Sequence, residues 1–177
     1  MRMARILIVY STTDGHVREI CNRLRRIVEQ YAHEVSLVAM ADATVADLVP
    51  CDKVIVGASI RYGRHRPEVA EFIDRHAQVL NQKASAFFSV SVVARKPGRN
   101  RPDTNPYVRK LLRKIAWHPR EVAVFAGKID YPRYGFLERQ VIRGIMWLTG
   151  GPTDPAAVVE FTDWRQVEAF AEVIAAL

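Results

Sequence analysis

The chain contains few cysteines and no long hydrophobic run. Among its 177 residues only Cys21 and Cys51 carry thiols, and their spacing matches neither a zinc knuckle nor a redox pair. No apolar stretch is long enough to cross a bilayer, and the sequence does not open with a charged-then-apolar leader. We therefore expect reduced thiols, no metal site, and a protein that is cytoplasmic or bound peripherally to the cytoplasmic side of the cell membrane.

Two nucleotide-binding motifs are also missing. The chain has neither the Gly-x-Gly-x-x-Gly pattern of dinucleotide-binding turns nor the Gly-Lys-Ser/Thr pattern of ATP-binding loops. These absences disfavour NAD in a Rossmann turn and disfavour ATP. The length and the 49% share of hydrophobic residues are ordinary for a globular chain, so we expect residues 1–177 to form a single domain.

Positive charge is abundant and concentrated in one part of the chain. Residues 60–114 hold 13 of the 26 Lys and Arg residues but only 4 of the 19 Asp and Glu residues. This imbalance predicts a basic face that could meet nucleic acid, anionic lipid or an anionic small molecule. Because the segment has no recognisable nucleic-acid-binding motif, we expect no nucleic-acid partner.

Short apolar segments alternate with amphipathic segments along most of the chain. Residues 5–10 read Arg-Ile-Leu-Ile-Val-Tyr, which is typical of a strand buried on both faces of a sheet. The alternation predicts an α/β fold with a doubly wound parallel sheet, whose ligand crevice lies at the carboxyl ends of the strands. The predicted strands are 5–10, 34–39, 53–59, 85–92 and 121–126.

One segment is longer than an ordinary connection. Residues 127–155 follow the fifth predicted strand and contain an apolar stretch of their own at 136–148. We predict an insertion at 127–155, with residues 158–161 forming the second half of the fifth strand. The apolar stretch carries Arg139 and Arg143, a combination suited to an anionic membrane surface; packing on the domain is the alternative.

A hydroxyl-rich loop follows the first predicted strand. Helix amides, hydroxyl groups and a glycine at this position favour a bound anion such as a monophosphate, although an ordinary capped turn would have the same composition. The candidate phosphate-binding residues are Ser11, Thr12, Thr13, Asp14, Gly15 and His16.

Several loops together resemble one family. The loops at 11–15, 57–63 and 91–97 are similar to those of the quinone-dependent protoporphyrinogen IX dehydrogenases, which are long-chain flavodoxin-like proteins. Further matches are Tyr-Pro-Arg-Tyr at 131–134, Gly-Gly at 150–151 and Thr-Asp-Trp at 162–164. The phosphate loop departs from the flavodoxin pattern at Asp14 and Val17, which stand where flavodoxins commonly place threonine.

The resemblance implies a fold, a cofactor and a reaction. It implies a five-stranded sheet in the order 2-1-3-4-5, bound FMN, and oxidation of protoporphyrinogen IX to protoporphyrin IX with menaquinone or ubiquinone as acceptor in heme biosynthesis. The flavin itself would carry the chemistry, so no catalytic acid, base or nucleophile is assigned.

The remaining candidate site residues follow from the switch-point rule, which places the flavin ring beside the loops after the third and fourth strands. Tyr62 is a candidate for stacking on the ring. The cofactor candidates in these loops are Ser59, Ile60, Arg61, Tyr62, Gly63, Ser91, Val92, Val93, Ala94 and Arg95; the candidates for binding substrate propionates are Arg61, Arg64, Arg95, Lys96 and Arg133.

Two other functions remain open at this point. One is an FMN-dependent NAD(P)H:quinone reductase, and the other is a non-enzymatic flavodoxin that carries electrons. The basic loops argue against a carrier, because flavodoxin carriers are typically acidic and dock on basic partners.

Overall fold

The computed structural model describes residues 2–177. Its parallel sheet consists of β1 (Arg5–Ser11), β2 (Glu34–Ala39), β3 (Lys53–Arg61), β5 (Ala84–Ser91) and β6 (Glu121–Ala126). The strand order is β2-β1-β3-β5-β6 and all four pairings are parallel. Numbered along the chain, the five long strands therefore stand in the order 2-1-3-4-5, and the predicted α/β fold is confirmed.

Helices cover both faces of the sheet. Successive residues of a strand point to opposite faces, so β1 contributes alternately to two cores. Ile8 belongs to the core with Leu24 and Phe170, whereas Leu7 belongs to the core with Phe72 and Val108. The helices are α1 (His16–Gln30), α2 (Val45–Leu48), α3 (Pro67–Asn81), α4 (Pro106–Lys114), α5 (Phe136–Thr149) and α6 (Trp164–Ala176).

The segment predicted as an insertion leaves the sheet directly after β6. It begins with β7 (Lys128–Asp130), continues into α5 and returns through β8 (Val158–Glu160). The expectation that residues 158–161 complete the fifth strand is wrong, because β8 returns in the opposite direction and pairs antiparallel with β7. The Phe161 amide donates to the Gly127 carbonyl (2.9 Å) and closes the base of this segment. No helix within residues 2–177 is both long and apolar enough to cross a membrane.

A close approach between β3 and β5 fixes one glycine. Gly57 is paired with Phe88 in the sheet, and the Phe88 ring lies over the glycine. A Cβ at position 57 would lie 2.5 Å from Cε1 and 2.8 Å from Cε2 of Phe88. Because Phe88 is fully buried, its ring has no open space into which it could move.

We expect Gly57→Ala to destabilise the protein by roughly 2–3 kcal/mol, the cost of overpacking a filled core. Urea unfolding measures this change. Gly144→Ala is the matched control, because a Cβ at this position in α5 meets nothing within 4 Å and alanine favours a helix. Equal stability of the Gly57→Ala variant and the wild-type protein would contradict the packing described here.

Candidate functional site

A cleft with about 160 Å³ of internal space lies at the carboxyl edge of the sheet. This is the place where loops from adjacent parallel strands meet. The loops after β1, β3 and β5 form one side, while β7 and α5 form the other. The predicted residues that line the cleft are Thr13, Asp14, Ser59, Ile60, Arg61, Tyr62, Gly63, Ser91, Val92, Val93 and Arg95.

In the loop after β1, two of the predicted hydroxyls are already engaged. Ser11 Oγ donates to the Glu68 carboxylate (2.6 Å), and Thr12 Oγ1 accepts from the Gly15 amide (3.0 Å). Neither Ser11, Thr12 nor Gly15 lines the cleft. Thr13 is exposed and lines it, which leaves Thr13 and the first-turn amides of α1 as the donors for an anion.

Asp14 and His16 hold the start of α1. Asp14 Oδ1 accepts from the His16 amide (3.4 Å), as expected for a carboxylate that turns toward the helix. The His16 ring is buried, with Nδ1 facing Glu19 (3.1 Å) and Nε2 facing Thr162 Oγ1 (2.7 Å). Because the Thr162 hydroxyl donates to the Ala126 carbonyl (2.8 Å), its oxygen accepts from His16 Nε2. His16 therefore ties α1 to the end of β6.

After β3 the chain turns back in a tight hairpin. The short strand β4 (Arg64–His65) pairs antiparallel with the end of β3. Tyr62 (φ 52°) and Gly63 (φ 75°) form the two-residue turn, as in type I′ hairpins. Tyr62 is 53% exposed, so the hairpin presents the predicted stacking residue at the mouth of the cleft, in a backbone conformation that non-glycine residues seldom adopt.

Arg61, which lines the cleft, lies between two carboxylates. Its side chain is 17% exposed and lies 3.8 Å from Asp14 and 3.5 Å from Glu138. The guanidinium also lies 5.1 Å from the centre of the Tyr134 ring. Two carboxylates thus share one cation on this side of the cleft.

Arg95 holds the insertion in place. Its Nη1 donates to the Val92 carbonyl (2.9 Å) and its Nη2 to the Thr149 carbonyl (3.2 Å). The guanidinium lies 5.6 Å from the centre of the Phe161 ring, and burial lowers the pKa of Arg95. The neighbouring Ala94 is buried in the core and does not line the cleft.

The other three predicted propionate-binding residues lie outside the cleft. Arg64 and Arg133 are exposed, Lys96 is half-buried, and none of the three lines the cleft. The structure therefore brings Arg61 and Arg95 together at the site and leaves Arg64, Lys96 and Arg133 around it.

The wall formed by the insertion was missed by sequence reasoning. The spacing of Ile142 and Met146 on α5 was a usable signal, because residues four apart share one helix face. Both side chains are buried, so this face packs inward. The cleft-lining residues absent from the prediction are Tyr107, Lys128, Ile129, Tyr134, Ile142, Ile145, Met146 and Thr149.

Two hydroxyl groups in the cleft fit a polar ligand. The Oγ atoms of Ser59 and Ser91 are buried, and neither has a hydrogen-bond partner among the described residues. A buried hydroxyl without a partner costs about 1–3 kcal/mol. Both serines line the cleft, so a ligand with polar groups at this depth would satisfy them. The donors present therefore fit a flavin.

His65, the second residue of β4, makes the stability of the protein depend on pH. Its Nε2 lies 2.9 Å from Ser89 Oγ, and burial lowers the pKa of His65 from 6.5 to about 4. Between these two pH values the unfolded chain binds a proton that the folded chain does not, so stability decreases as the pH falls from 6.5 to 4. The contribution of His65 is roughly 2–3 kcal/mol.

We expect His65→Leu to lose less stability than the wild-type protein between pH 7 and pH 4.5 in urea unfolding. His118→Leu is the control, because it makes the same substitution at an exposed histidine. Parallel wild-type and His65→Leu curves would count against the buried neutral histidine.

Comparisons with known proteins agree with this geometry. A family model described as a flavodoxin domain matches residues 7–156. The chain is 41% identical to a protoporphyrinogen IX dehydrogenase [quinone] of Escherichia coli K12, over 98% of this chain and 96% of that protein. It is 40% identical to the enzyme of the same name from Leishmania major, over 98% of this chain and 75% of that protein.

More distant relatives match less of the chain. An NAD(P)H dehydrogenase (quinone) of Azorhizobium caulinodans is 30% identical over 49% of this chain and 56% of that protein. Among solved structures, a short-chain flavodoxin associated with a bacterial microcompartment has a TM-score of 0.59 at 14% identity, covering 98% of both chains; at this identity it supports the fold alone. The chain thus belongs to the flavin-binding flavodoxin family and, within it, to the quinone-dependent protoporphyrinogen IX dehydrogenases.

Proposed function

We propose that this protein uses FMN to oxidise protoporphyrinogen IX to protoporphyrin IX and passes the electrons to a quinone, either menaquinone or ubiquinone, as a step of heme biosynthesis. The observation that carries the proposal is the 41% identity to the Escherichia coli enzyme over 98% of the chain. That coverage includes the insertion that forms one wall of the cleft.

The phosphate loop supports FMN among the flavins. The loop after β1 has one cluster of donors, in Thr13 and the first turn of α1, which suits a single phosphate. Ser59 and Ser91 would bind the ligand next to this cluster with their free hydroxyls. When bound, FMN would supply the two-electron redox chemistry that converts porphyrinogen to porphyrin.

The chain's own residues would bind and shield the substrate. Arg61 is the cation best placed to meet a propionate, since its planar guanidinium suits a carboxylate. A propionate would have to compete there with Glu138, which lies 3.5 Å from Arg61. On the opposite wall, Ile142 and Ile145 give the cleft an apolar surface that excludes water.

We expect the FMN-loaded protein to produce porphyrin fluorescence when it is mixed anaerobically with protoporphyrinogen IX and menadione. The controls are flavin-free protein and a mixture without protein. A rise no faster than in these controls would contradict the proposed reaction. Oxidation of NADPH with menadione, but not of protoporphyrinogen IX, would instead identify the quinone reductase suggested by the more distant relatives.

Membrane attachment is a second part of the proposal. Along α5, Phe136, Leu137, Trp147 and Leu148 are each more than 70% exposed, which is unusual for a helix that only packs on its own domain. Such a surface suits the interfacial layer of a bilayer.

The arginines of α5 also bind backbone carbonyls of the insertion. Arg139 donates to the carbonyls of Tyr131 and Tyr134, and Arg143 donates to that of Thr153. Both side chains therefore hold the insertion together. Attraction to an anionic leaflet would have to come from exposed cations such as Arg133.

We expect the protein to sediment with anionic liposomes and the variant Leu137→Ser/Trp147→Ser to remain in the supernatant, because the substitutions remove two exposed apolar side chains. Val49→Ser is the control, because Val49 is also exposed but follows α2, whereas Leu137 and Trp147 belong to α5. If neither anionic nor neutral liposomes sediment the wild-type protein, the membrane proposal is wrong.

A further inference from the structure

Lys128 differs from the other cations of the cleft. Arg61 lies against Asp14 and Glu138, and Arg95 is bonded to backbone carbonyls. Among the cleft-lining cations of residues 2–177, Lys128 is the one whose side chain makes no hydrogen bond or ion pair. It is half-buried at the start of β7, and its ammonium group has no partner among the described residues.

The position of Lys128 relates it to the phosphate loop. A small cavity continues from the cleft beneath that loop, and Lys128 lines both spaces. Asp14, Ser59 and Ser91 also line both spaces, and the hydroxyls of the two serines have no hydrogen-bond partner within the described chain. His16 lines the small cavity. Lys128 therefore shares one polar pocket with the unpaired hydroxyls and the start of α1.

The electrostatics of this pocket call for another cation. Asp14 would repel a phosphate, and the Arg61 charge facing it is shared with Glu138. A phosphate bound at the start of α1 would therefore meet no uncompensated positive charge in the loop itself. Lys128 supplies one from the opposite wall.

We propose that Lys128 binds the phosphate of the flavin. The inference rests on the proposed function, because it takes FMN as the ligand. It gives the insertion a role in cofactor binding, with a point charge that compensates for the carboxylate of Asp14. The partner across the β7–β8 pair, Glu160, is exposed and forms no ion pair with Lys128 in the described chain.

The test compares FMN with riboflavin, which has the same ring and ribityl chain but no phosphate. Titrating flavin fluorescence with flavin-free protein gives both dissociation constants. We expect Lys128→Met to weaken FMN binding about tenfold, as for a lost hydrogen bond to a charged group, and to leave riboflavin binding unchanged. Lys128→Arg should retain most of the preference for FMN.

Two controls separate charge and folding from phosphate binding. Lys110→Met removes an exposed lysine on α4 and should not change either constant. If Glu160→Gln also weakens FMN binding, the structure of the β7–β8 pair sets the affinity and the charge of Lys128 does not. Added salt should weaken FMN binding by the wild-type protein more than by Lys128→Met.

Other results would overturn the assignment. Equal weakening of FMN and riboflavin binding would place Lys128 at the ring or make its role structural. Unchanged FMN binding with a raised KM for protoporphyrinogen IX would place it at the substrate. If the wild-type protein binds neither flavin, the proposed function fails as well, which distinguishes that failure from a failure of the Lys128 assignment alone.

Discussion

The shared direction of the five long strands is the constraint on which the site depends. Because β1, β3, β5 and β6 all run the same way, their carboxyl ends meet at one edge and four loops converge there. Helices cover both faces of the sheet, so the loops are the part of the sheet region that remains free to bind. The cleft follows from this arrangement and not from any single loop.

The insertion adds a wall to that edge, and arginine side chains bind several of its backbone carbonyls. Arg95, Arg139 and Arg143 each donate to carbonyl groups in or beside it. Guanidinium groups suit this task, because several N–H donors in a fixed plane can bind more than one carbonyl at once. Much of the chain's positive charge near the cleft is therefore structural, which the net charge of +7 does not reveal.

The sheet could be predicted from the sequence because local patterns determine it. The segments at 34–39 and 121–126 correspond to β2 and β6 with the same bounds, since short segments rich in valine and other apolar residues favour strands. The loops after β3 and β5 followed from the switch-point rule, and the loop after β1 followed from its hydroxyl-rich composition at the start of a helix. The course of the insertion did not, because the β7–β8 pairing joins residues about thirty apart through an antiparallel return that no local pattern specifies. Whether Arg61 and Arg95 face the cleft while Arg64 and Arg133 do not also depends on tertiary packing.

The contact between Gly57 and the Phe88 ring has an evolutionary consequence. A side chain at position 57 requires a smaller residue at position 88, because the ring already fills the space above the glycine. The two positions therefore form an epistatic pair in which the order of substitution matters: position 88 must shrink before position 57 can grow. A lineage that keeps the aromatic ring at position 88 is therefore expected to keep glycine at position 57.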